Sequence, residues 1–135
     1  MKKKILLLSL LVFVSGSAFA ASPAEVKSGI IAVRDSLLTM LKDASKRTPE
    51  QRALVKSSAD KVSSMINELN VTPDKADKLS EMKKNWEEFS KVRVEKVVPK
   101  ITSGTPEDLK EAEALANGEQ KERLMKIMKI CDELK

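Results

Sequence analysis

The sequence predicts an all-α fold, an antiparallel up-down-up-down four-helix bundle, from three observations. Four of the five prolines directly follow a serine or threonine. This pair is typical of a helix start, because the hydroxyl caps the first turn and proline gives up an amide that has no partner there. Acidic residues follow each pair, and apolar residues between the pairs recur at steps of three and four. The pairs are Ser22-Pro23, Thr48-Pro49, Thr72-Pro73 and Thr105-Pro106.

The first two helices each carry one apolar seam with the spacing of left-handed helix packing. The turns at 43–47 and 70–71 are short, and short connections favour antiparallel neighbours. The first seam is Val26, Ile30, Val33, Leu37, Met40 and Ala44, and the second is Val55, Ala59, Val62, Ile66 and Leu69.

The third helix has one charged residue on its seam. Leu79, Met82, Trp86 and Phe89 set the seam, Arg93 continues it, and Val97 and Ile101 restore its apolar character. Pro99 is expected either to kink this helix or to end it early. Gly104 is the expected C-terminal cap.

The fourth helix has an unusually polar middle. Gly118 lowers helix propensity and is expected to mark a bend. Two positions of the seam are left open between neighbouring residues. The predicted seam is Leu109, Ala112, Ala116, Gln120, Arg123 or Leu124, Ile127, Ile130 or Cys131, and Leu134.

Residues 1–20 have the composition of a cleavable secretory signal peptide. Lysines precede an apolar run, and small residues at Ala18 and Ala20 are placed for cleavage. The apolar run is shorter than the roughly 20 residues that a membrane helix needs. We therefore expect a periplasmic location and a single domain over 21–135, with no stable membrane insertion after cleavage. Retention of the leader as an anchor is the alternative.

Composition argues against several classes of function. The chain has 25 basic and 20 acidic residues, and three of its lysines lie in the leader, so the rest is close to balanced and nucleic acid is not an expected partner. The absence of histidine removes the commonest ligand for zinc, copper and haem iron, and no Cys-x-x-Cys-His attachment occurs. We expect no metal, no cofactor and no enzymatic activity, because the serines also lack an ordinary general base.

The only cysteine, Cys131, cannot form a disulfide within the chain. It is either a buried packing residue near the end of the last helix or a cross-link between two copies. The sequence leaves both open.

A polar layer is expected near the middle of the bundle. Helix rise, about 1.5 Å per residue, puts Arg34, Trp86 and Arg123 at similar heights, with Ser58 and Ala59 of the second helix in the same layer. With Asn85 these residues would form a pocket for a small carboxylate or oxyanion, held by bidentate arginine bonds.

Simpler interpretations of the same residues remain. The arginines extend to the surface or pair with Asp35, Glu88 and Glu119, and Trp86 is a core residue. Arg93 has the same ambiguity at a different level.

Residues of the second half resemble a known sensor family. The matching residues are Trp86-Glu87-Glu88-Phe89, Arg93, Val97-Val98-Pro99, Ile101, Gly104, Ala112, Leu115-Ala116-Asn117-Gly118-Glu119-Gln120 and Arg123. This pattern resembles the last two helices of the four-helix-bundle sensor domain of methyl-accepting chemotaxis receptors. Arg34, followed by paired leucines, fits the first helix of that domain loosely.

The resemblance implies a periplasmic, non-enzymatic bundle that binds a small ligand, with a homodimer mate or a membrane receptor as partner. Because arginines in such domains hold carboxylates or oxyanions, it implies Arg34, Arg93 and Arg123 as ligand-binding residues. Asn85, Trp86 and Gln120 complete the candidate set. A receptor would continue into a second membrane span and a signalling module, so the resemblance favours a free-standing sensor-like bundle.

A competing resemblance lies at Thr48-Pro49-Glu50-Gln51, with an echo at Thr72-Pro73-Asp74-Lys75. Small periplasmic stress chaperones carry a Leu-Thr-x-x-Gln motif. This chain has Arg47 in place of the leucine, and lysine replaces glutamine in the echo. A chaperone is therefore the alternative function, and a helix cap explains the same residues.

Overall fold

The computed structural model describes residues 21–135, and every regular element within them is helical. Residues 1–20, on which the signal-peptide prediction falls, lie outside the described residues. The helices are α1 (Pro23–Lys42), α2 (Pro49–Asn67), α3 (Ala76–Val92), α4 (Val98–Ser103), α5 (Pro106–Asn117) and α6 (Glu119–Glu133). They form four rods, because a π-helical turn joins α3 to α4 and Gly118 alone separates α5 from α6. The all-α prediction is confirmed.

Three of the four predicted helix starts are capped as the sequence indicates. The hydroxyls of Ser22, Thr48 and Thr105 each accept a bond from the amide three residues later, at 3.1 Å. At Ser22 the carboxylate of Glu25 also accepts from the Ser22 amide, which completes a capping box.

The fourth start differs from the prediction. Pro73 opens a short 3₁₀ turn, Pro73–Lys75, and α3 begins only at Ala76. The Thr72 hydroxyl makes no cap to the backbone. The hydroxyl lies instead beside the carboxylate of Asp74, and this interaction is the main reason why the pKa of that carboxyl is below its usual value. The local acid therefore competes with the backbone for the hydroxyl.

The predicted seams form the core, with one error. Ala44 is exposed, because α1 ends at Lys42 and Ala44 begins a 3₁₀ turn. In the fourth rod the open choices are resolved: Leu124 is buried where Arg123 is only half-buried, and both Ile130 and Cys131 are buried.

Buried apolar side chains form two clusters. The first core cluster is Val26, Ile30, Val33, Val62, Ile66, Leu69, Met82, Trp86, Phe89, Leu124, Ile127, Ile130, Cys131 and Leu134. The second core cluster is Leu37, Met40, Val55, Val97, Ile101, Ala112 and Ala116. Along α1, the third rod (α3 to α4) and the fourth rod (α5 to α6), the first cluster lies on one side of the buried residues Ser36, Arg93 and Gln120, and the second lies on the other.

The third rod continues past the position where its proline should disturb it. Residues Arg93–Val97 form a π-helical turn, in which the amide of Val98 donates to the carbonyl of Arg93, five residues earlier. Pro99 follows directly and has no amide to offer the preceding turn, so the wider turn avoids its clash with the helix backbone. The helix does not end early, and it closes at Gly104 in the left-handed region (φ 73°), as predicted.

Packing between the rods is uneven. Helix α1 packs extensively on α2, and α3 on α6, whereas α2 and α3 touch over only a short stretch. A cleft therefore remains between α2 and the third rod. None of the helices in residues 21–135 combines the length and apolar content needed to cross a bilayer.

Candidate anion-binding site

Arg93 is the most deeply buried charged residue that the structure describes, with 3% of its surface exposed. It begins the π-helical turn, which aims its side chain between α1 and α2. Its guanidinium donates to the carbonyl of Val33 on α1 at 3.3 Å and to the carbonyl of Val55 on α2 at 2.8 Å. One side chain of the third rod thus joins the first two helices.

Two serines share the carbonyls that Arg93 uses. Ser36 donates to Val33 at 2.9 Å, and Ser58 donates to Val55 at 3.1 Å. The two hydroxyls are 3.3 Å apart. Both carbonyls therefore keep a hydrogen-bond partner even without the guanidinium.

The charge of Arg93 has no acidic partner among residues 21–135, since none of the ion pairs found there includes it. Its guanidinium carbon lies 5.8 Å from the centre of the Phe89 ring, a weak cation–π contact. Burial lowers the pKa of Arg93 to about 10, because the charged form loses water without gaining a carboxylate. A guanidinium has five N–H donors, so the two carbonyls leave donors unused.

Arg93 forms part of the wall of the cleft between α2 and the third rod, which we call the Arg93 cleft. Its volume is about 440 Å³. The lining is Arg52, Val55, Lys56, Ala59, Asp60, Ser63, Ser90, Arg93, Val94 and Val98. The surface that its walls expose is mostly apolar, and two serines and the buried Arg93 belong to the lining.

Cations outnumber acids in this lining. Lys56 and the single acid of the lining, Asp60, pair with each other at 2.7 Å, so Arg52 and Arg93 are the cations of the lining that have no acidic partner among residues 21–135. Val94 beside Arg93 is 68% exposed, so an apolar surface reaches the mouth of the cleft. The arrangement suits a small anion with an apolar body.

The structure gives Arg34 a different task from the predicted pocket. Its guanidinium donates to the carbonyl of Ala116 at 2.9 Å and to the side-chain oxygen of Asn117 at 3.0 Å. These groups lie at the C-terminal end of α5. A cation at a helix C-terminus satisfies carbonyls that have no partner and complements the helix dipole.

Arg123 follows the simpler interpretation. It lies 3.7 Å from the carboxylate of Glu88 and 3.6 Å from that of Glu119, two of the partners expected for it. It also donates to the side-chain oxygen of Gln120 at 3.2 Å. Gln120, 3% exposed, donates in turn to the carbonyl of Phe89 at 2.9 Å. This carbonyl lies next to the π-helical turn.

Trp86 and Asn85 also stay out of a shared pocket. Trp86 is buried, stacks on Phe89 with ring centres 5.2 Å apart, and donates its indole N–H to Ser63 at 2.8 Å. Asn85 is half-buried and donates to the carbonyl of Glu81 on its own helix. Arg34, Asn85, Trp86 and Arg123 do not meet in one pocket, because each side chain bonds to a different partner.

One buried polar residue escaped the sequence analysis. Ser36 lies beside the apolar seam of α1, between Val33 and Leu37, and small serines in helices commonly bond to their own backbone, so composition gives little sign of it. Only its position one residue before a buried seam leucine could have indicated burial.

Cys131 is buried, which agrees with its interpretation as a packing residue. Burial raises the pKa of its thiol to about 11. No group of three His, Cys, Asp or Glu side chains in the described part of the chain is placed to hold a metal ion.

The chain matches no protein-family model, no curated protein and no solved structure. We therefore infer the function from the geometry of the Arg93 cleft. What that geometry offers is a buried cation, free donors and an open, mostly apolar approach.

Proposed function

We propose that this chain is a periplasmic, non-enzymatic, sensor-like four-helix bundle that binds a small carboxylate or oxyanion in the Arg93 cleft. One observation carries the proposal: a buried arginine without an acidic partner among residues 21–135 lines an open cleft. A buried cation costs free energy unless a partner compensates it, so a site that keeps one is poised for an anion.

The proposed arrangement is up-down-up-down, and contacts between the rods support it. Ser36 of α1 approaches Ser58, and the earlier Gly29 faces the later Val62 and Met65 of α2. Between α2 and the third rod, Ser63 pairs with Trp86 and Val55 with Arg93. In each pair of neighbouring helices, later residues of one helix contact earlier residues of the other, as expected for antiparallel helices. Likewise, Lys27 pairs with Asp132, and Arg34 with Ala116.

The chemistry of the cleft favours a carboxylate over a cation or a neutral ligand. A guanidinium presents parallel N–H donors that match the two oxygens of a carboxylate. In the desolvated setting of Arg93 such a bond is stronger than at the surface, because water does not screen it. The neighbouring Ser90 and Ser63 side chains line the same space and supply hydroxyls for a polar ligand atom.

The sensor assignment is supported by the chemotaxis-receptor-like pattern of the second half, to which Arg93 belongs. The proposed partners are a dimer mate or a membrane receptor. Ligand binding would act by shifting helix against helix, since small shifts of packed helices are a common way to pass a signal.

Calorimetric titration with propionate, benzoate, succinate, phosphate and sulfate tests the binding proposal. Residues 21–135 should bind at least one of these, and Arg93→Met should weaken that binding by at least about tenfold, the loss expected for a hydrogen bond to a charged group. Arg123→Met is the matched control, because that arginine already pairs with carboxylates, and it should change the affinity less than about twofold. No binding by any of the anions, or equal losses in both variants, would refute the site.

The chaperone alternative finds no support in the motif that suggested it. Thr48 caps the amide of Gln51, and the Gln51 side chain donates to the carbonyl of Ser36 at 2.9 Å. Both residues of the Leu-Thr-x-x-Gln likeness are thus engaged within the fold. Suppression of aggregation of an unfolded client, without any anion binding, would nevertheless favour a chaperone.

A further inference from the structure

Two arginines of the Arg93 cleft have hydrogen-bond donors to spare. Arg93 donates to two carbonyls, and Arg52 donates to the carbonyl of Arg47 at 3.4 Å, which is a long bond. Each guanidinium has five N–H donors. None of the ion pairs in the described part of the chain includes either arginine. The lining thus offers two cations to a ligand.

Arg52 is not needed to hold the turn beside it. The last carbonyls of α1, those of Met40 and Leu41, accept from the guanidinium of Arg47 at 2.8 and 3.0 Å. Thr48 caps the start of α2. Arg52 is half-buried and adds only the long bond to the Arg47 carbonyl. Exchanging that bond for one to a ligand costs little, because its length makes it weak.

The two arginines lie at different places along the cleft. Arg93 is buried at the level of Val55, whose carbonyl it holds at 2.8 Å. Arg52 comes three residues earlier on α2, and its guanidinium lies near the carbonyl of Arg47, just before the helix begins. Because α2 rises about 10 Å between Thr48 and Val55, the two guanidinium groups are separated along the helix by a distance of this order.

The wall of the cleft between the two arginines is apolar. Val55 lies on α2, and Val94 and Val98 follow Arg93 on the third rod, in the direction of the start of α2. A hydrocarbon chain placed along these valines leaves water and needs no polar partner. The cleft therefore has Arg93 at one end of an apolar section and Arg52 at the other.

We propose that the ligand of the Arg93 cleft is a linear dicarboxylate. One carboxylate binds Arg93, the other binds Arg52, and the methylene chain between them lies along the three valines. Each guanidinium matches the two oxygens of a carboxylate with parallel N–H donors. The inference rests on the proposed function, because it names the class of anion that the same site takes.

Calorimetric titration of residues 21–135 with adipate, hexanoate and malonate tests this class of ligand. Adipate and hexanoate have the same chain length and differ only in the second carboxylate. Adipate should bind at least about tenfold more tightly than hexanoate, the gain expected for hydrogen bonds to a second charged group. It should exceed malonate by a similar factor, because the carboxylates of malonate are too close together to reach both arginines.

Arg52→Met separates the second carboxylate contact from the anion site itself. The preference for adipate over hexanoate should fall below about twofold in this variant, since only Arg93 remains to bind a carboxylate. Arg123→Met is the matched control, because that half-buried arginine lies outside the lining of the cleft, and it should keep the full preference. Arg93→Met should weaken the binding of both ligands.

The outcomes distinguish the ligand class from the site. Hexanoate or propionate binding as tightly as adipate would overturn the dicarboxylate and leave the proposed function standing. The same conclusion would follow if malonate matched adipate, since charge alone would then explain the preference, or if Arg52→Met kept the full preference. No binding of these ligands or of the other anions named above would refute the proposed function, and the dicarboxylate with it.

Discussion

At the scale of single residues, Arg93 has two possible tasks that can be separated. It bonds to carbonyls of α1 and α2 and thus contributes to packing, yet Ser36 and Ser58 also satisfy those carbonyls. What the fold gains from the guanidinium is small, whereas the desolvation of its charge is costly. A residue retained at such a cost is better explained by a ligand than by stability.

We expect Arg93→Met to leave the free energy of unfolding unchanged or to raise it by about 1 kcal/mol, since it removes an uncompensated buried charge and keeps most of the side-chain volume. Urea unfolding of residues 21–135 without any anion measures this. Arg123→Met, at a surface ion pair, should change stability by less than about 1 kcal/mol. A loss of about 3 kcal/mol or more in Arg93→Met would show that the arginine is chiefly a structural tie.

Cys131 gives a prediction on pH dependence. Its thiol has a pKa of about 11 in the fold against an ordinary value of 9.0, so between these values the unfolded chain releases a proton that the folded chain keeps. This contribution to stability is complete below pH 9 and is lost as pH rises towards 11. The loss amounts to about 3 kcal/mol at about 1.36 kcal/mol per pKa unit.

The comparison with Cys131→Ala isolates this effect from the lysines that titrate in the same range. The difference in unfolding free energy between the native chain and the variant should be constant from pH 7 to 9 and should shrink from pH 9 to 11. A constant difference across the whole range would mean that the thiol is not buried in the folded protein.

At the scale of elements, helix starts depend on which partner the capping hydroxyl finds. Thr48 caps the amide of Gln51, while Thr72 in a similar dipeptide makes no cap and interacts with the carboxylate of Asp74. Sequence spacing gave the same prediction for both sites. Only the geometry distinguishes them, because the choice depends on where the neighbouring carboxylate lies.

Thr48→Ala should therefore lower the free energy of unfolding by about 1 kcal/mol, the usual loss for an N-cap. Thr72→Ala is the matched variant, and it should lose less than about half of that, since its hydroxyl does not hold the helix backbone. Thermal unfolding followed by circular dichroism measures both. Equal losses would contradict the distinction between the two starts.

The seams were predictable because apolar spacing determines which face of a helix is buried. The α1 seam from Val26 to Met40 and the third-rod seam through Arg93 are buried as expected. The bend at Gly118 and the cap at Gly104 were also predictable from residue type. The π-helical turn was not, since Pro99 alone does not decide between a kink and an early end.

At the scale of the whole molecule, the sequence named Arg34, Arg93 and Arg123 as candidate ligand-binding residues, and the structure gives the three arginines different surroundings. Heights along the bundle placed Ser58 with Arg34, Trp86 and Arg123. In the structure the Ser58 hydroxyl lies 3.3 Å from that of the buried Ser36. Arg34 and Arg123 instead point to a helix end and to surface carboxylates. The rotation and stagger of each helix decide this, and side-chain packing sets both after the helices have met.

The buried polar side chains at the level of Arg93 also link the candidate site to the rest of the fold. Arg93 reaches α1 and α2, Gln120 reaches the third rod from the fourth, and Arg34 reaches the fourth rod from the first. All four rods therefore meet at the level of the cleft.

The most direct test of the account is a nuclear magnetic resonance titration that follows the guanidinium Nε–H signals of ¹⁵N-labelled residues 21–135 as propionate is added. We expect a saturable shift of the Arg93 signal, with the Arg34 and Arg123 signals unchanged. An unshifted Arg93 signal, or equal and unsaturated shifts of all three arginines, would contradict a built anion site in the cleft.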